Sequence, residues 1–151
     1  MKKATLCFVK KGDKILLINR NKSPFMGLWN AVGGKLKDGE SVIDCAKREI
    51  FEESGIKVDN VEVISEFTWN YDDEIGYATL SNFDDNFDAE NFINYSREGL
   101  VVFKDIDWVL DSKNYGVIED LRVFIKDIKM GEKNNYHLVY KDNNLMEVIK
   151  K

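Results

Sequence analysis

A mixed α/β architecture, with one β-sheet sandwiched by helices, is what this 151-residue sequence predicts. Three observations carry that expectation. Two segments, 41–55 and 117–128, place apolar residues at helical spacing. Several shorter runs rich in β-branched and aromatic residues read as strands, many of them joined by tight turns. The two kinds of segment do not alternate regularly, which favours a mixed sheet over a doubly wound parallel one.

Taken in order, 3–10 and 14–19 are apolar-rich runs around Lys11-Gly12-Asp13, a hairpin signal. Arg20 to Leu28 reads as a loop punctuated by Pro24, the only proline, and Gly27. Its Arg20 and Lys22 could hold phosphates or could be solvated loop charges. A short strand is expected over Trp29–Val32, running through Gly33-Gly34 into the turn before the first helix. Ser41 is the N-cap of that helix, with Asp44 three residues on, and Gly55 is its stop. Ile43, Ala46 and Ile50 form its core-facing stripe. Strands follow over 61–69 and 75–83, with Asp72 to Gly76 as the turn between them. Asp84 to Ser96 is acidic and irregular and reads as a mobile loop. Leu100 to Phe103 is a short buried strand, and Asp105 to Leu110 a single helical turn. Val117, Leu121, Phe124, Ile125 and Ile128 lie on one face of a second main helix. Tyr136–Tyr140 and Leu145–Ile149, joined by Asp142-Asn143-Asn144, close the chain as a hairpin.

Composition narrows the class. With 44% hydrophobic and 32% charged residues the chain is soluble and globular, and its length suits one domain over 1–151. A net charge of −5 argues against a nucleic-acid polymer as partner. No run approaches a membrane span and the start has no signal-peptide core, so a cytoplasmic monomer or homodimer is expected. Cys7 and Cys45 suggest no disulfide framework and are expected reduced and buried.

The chemistry gathers on the first helix. Glu49, Glu52 and Glu53 fall on one arc of it, because offsets of three and four share a face. They repel one another and occupy the last turn, the unfavourable end of the helix dipole for anions. One reading is a solvated acidic helix end. The other is a cation held by hard oxygen ligands, for which Mg²⁺ or Mn²⁺ shared with substrate phosphates is suited. The single histidine, His137, lies in a predicted strand and reads as structural, and no Ser-His-Asp set is present, so carboxylates and metal must supply the chemistry.

Gly34-x5-Glu40-x7-Arg48-Glu49-Ile50-x-Glu52-Glu53-x-Gly55-Ile56 resembles the signature of the Nudix hydrolases at every position. The resemblance implies an α/β/α sandwich with a mixed sheet. It further implies Glu49, Glu52 and Glu53 as metal ligands, one of the last two acting as general base, with the Gly33 carbonyl and Glu98 as further ligands. Arg48 would orient the glutamates, and Glu40 would be structural in the loop. Trp29-Asn30, followed by Gly33-Gly34-Lys35, resembles the WN-x-x-GGK segment of MutT-like members, which sanitise oxidised purine nucleoside triphosphates. By that likeness Trp29 and Asn30 contact the base and Lys35 approaches the phosphates, where Arg20 is a further candidate. The helix start Tyr115-Gly-Val-Ile-Glu119-Asp120 departs from the offset of close relatives, though Asp120 could reach a purine edge and Tyr115 could stack on it. The implied activity is Mg²⁺-dependent hydrolysis of a nucleotide such as 8-oxo-dGTP to monophosphate and pyrophosphate. A pyrophosphatase of another nucleoside diphosphate derivative such as ADP-ribose, and a non-catalytic nucleotide sensor, are the alternatives.

Overall fold

The computed structural model describes residues 2–71, 73–83 and 86–151. Asp72 of the expected turn, and Asp84 and Asp85 of the expected acidic loop, lie outside them. Nine strands form one mixed sheet in the order β6-β7-β2-β1-β5-β4-β8-β9, with β3 paired beside β2. The strands are β1 (Lys2–Lys11), β2 (Lys14–Arg20), β3 (Trp29–Asn30), β4 (Glu62–Trp69), β5 (Glu74–Asn82), β6 (Ile93–Tyr95), β7 (Gly99–Asp105), β8 (Tyr136–Lys141) and β9 (Asn144–Lys150). The helices are α1 (Val42–Ser54), α2 (Ile106–Leu110) and α3 (Leu121–Met130). The pairs β1–β5 and β4–β8 are parallel and the remaining pairs antiparallel, so the sheet is mixed as expected.

Alternation along the central strands separates two cores. Phe8, Ile15 and Leu17 face Val109 of α2 and Leu121, Phe124 and Ile125 of α3. Their chain neighbours Cys7, Val9, Leu16 and Ile18 face Ala46 and Ile50 of α1. The result is the α/β/α sandwich. Each fully buried large side chain on these faces contributes roughly 1.5–3 kcal/mol by transfer from water. No helix of the described residues is long and apolar enough to cross a membrane.

Several boundaries differ from the sequence expectation. The second main helix begins at Leu121 rather than Val117. Val117 and Ile118 are buried but extended, because Trp29 accepts the Ile118 N–H (3.0 Å) and donates its own N–H to the Gly116 carbonyl (2.8 Å). Pairing with β3 outweighs the helical stripe there. On α1 the buried residues are Cys45, Ala46, Ile50 and Ser54, while Ile43 is only half-buried. Beyond Asp85 the acidic segment carries more regular structure than expected. Phe87 and Phe92 pack against Phe103 at 5.8 and 5.6 Å, Ala89 is buried, and Ile93–Tyr95 pairs with β7. The last hairpin turns on Asp142 and Asn143, both with positive φ, and β9 already begins at Asn144.

Candidate active site

α1 is built to hold its last turn still. The Ser41 hydroxyl accepts the Asp44 N–H (3.0 Å), and Gly55 adopts a left-handed conformation (φ 77°) that lets its N–H close on the Phe51 carbonyl. The Asn94 side-chain amide of β6 donates to the Glu53 carbonyl (2.7 Å), one of the carbonyls a helix end leaves without a partner. Cys45, Glu49 and Glu53 follow one another at four-residue spacing beside the buried ridge of Ala46, Ile50 and Ser54. Glu49 and Glu53 are therefore pressed toward the sheet, whereas Glu52 stands half-exposed.

The three carboxylates line one cleft of about 480 Å³ with Glu98, Arg20, Gly33 and Lys35. Arg48 binds its rim. Its guanidinium is bidentate to Glu40 (2.8 and 2.9 Å), meets Glu49 at 2.9 Å and Glu52 at 3.3 Å, and donates to the Lys35 carbonyl at 3.2 Å. That pairing, with a further hydrogen bond from the Lys37 N–H, holds the Glu40 carboxyl down to about 2. Glu49 shifts the other way. Burial raises it most, and Glu52 and Glu53 add to the rise against the pull of Arg48. Glu53 is likewise raised by burial first, then by Glu98 and Glu52, with Ser96 and Arg20 opposing. Gly34 makes the approach possible. A Cβ there would lie 2.3 Å from Glu49 Oε1, so the backbone and the carboxylate meet only because the side chain is absent.

The donor set suits a hard divalent cation. Every candidate ligand is oxygen, and Glu53 Oε2 is buried with no hydrogen-bond partner, an acceptor otherwise left at a cost. Glu49, Glu52, Glu53, Glu98 and the Gly33 carbonyl are the groups that could hold it. The acids are not drawn into a closed centre. Among the described residues no three His, Cys, Asp or Glu side chains form a ready cation cage. Arg48 engages Glu49 and Glu52, while Glu98 lies 3.8 Å from both Arg20 and Lys22. Mutual repulsion and these pairings keep the carboxylates apart.

Across β1 from this cleft lies a smaller pocket of about 120 Å³, bounded by Asn30, Asp120, Phe67, Trp69, Tyr71 and Tyr140 among others. Thr5 joins the two. It lines the pocket, and its N–H donates to the Gly34 carbonyl (2.8 Å) at the edge of the cleft. Asn30 Oδ1 accepts the Ala31 N–H, which leaves its NH₂ group to face the pocket. Asp120 precedes α3 but does not cap it with its side chain, which lies instead against Tyr140 and Trp69. Burial raises its pKa, and those two neighbours only partly offset the rise. The Trp69 indole N–H is itself buried without a partner of good geometry. The pocket therefore presents an amide donor, a carboxyl biased toward its neutral form, an indole donor and aromatic faces.

Trp29 and Tyr115 do not join it. Period-two alternation turns Trp29 to the opposite face from Asn30, edge-on to Trp108 at 6.3 Å and under Lys104. Tyr115 is almost fully exposed on a neighbouring groove, and the pocket's wall beside Asp120 is Tyr140 instead. Phe67, Trp69 and Tyr71, which line the pocket, were not singled out in the sequence. The alternation of Phe67 and Trp69 in β4 was the available signal, since both point to one face. His137 is hydrogen-bonded through Nδ1 to Thr68 (2.7 Å), away from the cleft.

Comparison with known proteins agrees with this geometry. The model of the NUDIX domain matches residues 1–110. The oxidized purine nucleoside triphosphate hydrolase of Mus musculus is 36% identical over 67 residues, covering 44% of this chain and 43% of that protein. The aligned stretch thus spans less than half of that relative. The Nudix hydrolase YvcI of Bacillus subtilis (strain 168) is 32% identical over 111 residues, 71% of this chain and 68% of YvcI. Among solved structures, the MutT protein of Bacillus halodurans superposes with a TM-score of 0.81, covering 100% of this chain and 98% of that one at 24% identity.

Proposed function

The chain belongs to the Nudix family, and on that premise we propose that residues 1–151 act as one domain, a Mg²⁺-dependent hydrolase of purine nucleoside triphosphates that prefers an oxidised base. It would release the nucleoside monophosphate and pyrophosphate and so clear damaged nucleotides from the pool. The observation that carries the reading is the juxtaposition across Thr5 of a four-glutamate cleft with a pocket holding Asn30 and Asp120. The name borne by the mouse relative supports the same substrate class.

A divalent cation bound by Glu49, Glu52, Glu53 and the Gly33 carbonyl, with Glu98 beside them, would neutralise phosphate charge and act as a Lewis acid. The chain's own residues do the rest. Arg48, anchored by Glu40, keeps Glu49 and Glu52 turned into the cleft. Glu53, whose proton affinity is raised by burial and by its acidic neighbours, takes the proton from the attacking water. Glu52 is the other residue for that role. Arg20 and Lys35 line the cleft as cations for the phosphate chain. Asn30 donates to the base, and Asp120, whose proton affinity burial raises, meets the same edge beside it. A base whose edge gains or loses a proton on oxidation is distinguished by such a pair.

A substrate panel in Mg²⁺ tests the proposal, scored for pyrophosphate against inorganic phosphate. Turnover of 8-oxo-dGTP well above dGTP, with pyrophosphate as product, is expected. Preference for ADP-ribose would replace the proposed substrate, and no turnover of any phosphoanhydride would remove the activity.

A further inference from the structure

A second concave surface adjoins the carboxylate cleft and carries the opposite charge. It is a groove of about 440 Å³ bounded by Lys2, Lys3, Lys35 and Lys37, with Asp38 and Glu40 on the same walls. Backbone pairing sets these cations side by side. Ala4 and Lys35 form an antiparallel bridge, and the Leu36 N–H donates to the Lys3 carbonyl at 3.0 Å. None of the four ammonium groups lies within 4.0 Å of a carboxylate of the described residues. Glu40 is engaged by Arg48 at both oxygens and by the Lys37 N–H. In a chain of net charge −5, with acids in excess, four unpaired cations around one hollow make a local field that draws an anion.

Lys35 borders both the groove and the carboxylate cleft, so the two hollows meet at its side chain. A phosphate chain anchored at the glutamates and led past Lys35 enters the groove at its Lys35 end. We infer that Lys2, Lys3 and Lys37 form a distal-phosphate subsite that takes the phosphates beyond the third of a nucleoside polyphosphate. This inference rests on the carboxylate cleft being the phosphate site. The patch is too short for a nucleic-acid strand, whose backbone needs an extended basic stripe. Point-charge ammonium groups on flexible stems suit phosphates that present no fixed bidentate geometry.

The test uses the full chain and the triple variant Lys2→Gln/Lys3→Gln/Lys37→Gln, in two measurements. The first is calorimetric binding of inorganic tetrapolyphosphate without divalent metal. Wild type should bind at least about fivefold more tightly than the variant, as expected for the loss of three exposed charge pairs, with the advantage shrinking as salt rises. The second compares kcat/KM for the tetraphosphate and triphosphate of one nucleoside. The wild-type ratio should exceed that of the variant by a similar factor while the triphosphate value itself is unchanged. The Lys→Arg triple variant should restore both. Equal tetrapolyphosphate binding by wild type and variant, or an unchanged kinetic ratio in an enzyme that hydrolyses the triphosphate, overturns the subsite. Failure of both proteins to hydrolyse any triphosphate instead overturns the proposed function, and calorimetry alone then decides the groove.

Discussion

The two hollows on either side of Thr5 are built in opposite ways. The carboxylate cleft takes its acids chiefly from the last turn of one helix, keeps them apart by repulsion, and ties them from the side with a single arginine. The pocket of Asn30 and Asp120 is assembled from β1, β3, β4, β8 and the chain before α3, and is walled mainly by aromatic side chains. Glu53 has a buried oxygen with no partner, while Asp120 lies against a phenol and an indole. The first region stores charge that a cation can relieve. The second is desolvated and held in shape by its neighbours. On the proposed function the first carries the chemistry and the second the selection, so substitutions in one should leave the other's signature intact.

The sharpest way to break that separation is Glu53→Gln. It should lower kcat about 10²–10⁴-fold, the usual contribution of a positioned acid–base group, without changing the ranking of bases. A changed ranking in a purine panel would mean that the two regions are not independent. Glu52→Gln, measured beside it, decides which glutamate takes the proton. Next in size is Arg48→Gln, which frees Glu40, Glu49 and Glu52 together. Activity should fall about 10–100-fold, as for the loss of a partner that orients ligands, and the melting temperature should fall as well.

On the other side of Thr5, Asp120→Asn and Asn30→Ala should each cost about tenfold in discrimination between oxidised and ordinary purine, or roughly 1.4 kcal/mol, with kcat for the poorer substrate preserved. Steady-state comparison of the two nucleotides reads this directly. A smaller and indirect effect is expected at Arg122, whose guanidinium donates to the carbonyls of Val109 (3.0 Å), Asp111 (3.1 Å) and Asn114. It thereby fixes the turn before the Gly116–Ile118 segment paired with Trp29. Arg122→Lys should loosen base preference a few-fold and lower stability by about 1–2 kcal/mol, leaving the glutamates unaffected.

Acid should also act on the first region alone. The carboxyl of Glu40 is lowered from 4.5 to about 2, so the stability it contributes is complete above pH 4.5 and is lost as pH falls toward 2. Glu40→Gln should flatten the acid limb of a melting-temperature profile over that range. Glu49 and Glu53 are raised, so they take up protons at higher pH than free glutamate. In the metal-free protein their side-chain carboxyl resonances should therefore titrate at higher pH than that of free glutamate, as NMR would read.

How far each region was legible in the sequence follows from the same contrast. The cleft rests on residues within one helix and the turn before it, so helical periodicity alone brings Glu49, Glu52 and Glu53 together and leaves Arg48 beside them. The central sheet and both helical layers were legible for the same local reason. The pocket is a tertiary product. Asn30 was singled out by resemblance and Asp120 at a departure from it, and nothing local brings Trp69 and Tyr140 beside Asp120, because that meeting depends on β4 pairing with β8 across 69 residues. Trp29 was expected beside Asn30 at the base, and the alternation of a two-residue strand turns it to the other face. Val117 and Ile118 match a helical stripe, yet backbone bonds to Trp29 keep them extended. Strand β6 hid in an acidic segment because its three residues gain order only by pairing with β7.

The central claim is that the glutamate cleft is a divalent-cation site. Titration of Mn²⁺ followed by electron paramagnetic resonance, on wild type and on Glu53→Gln, tests it without any substrate. A bound population in wild type that weakens about tenfold or more in the variant is the predicted result. Equal binding by the two proteins, or none by wild type, would contradict it.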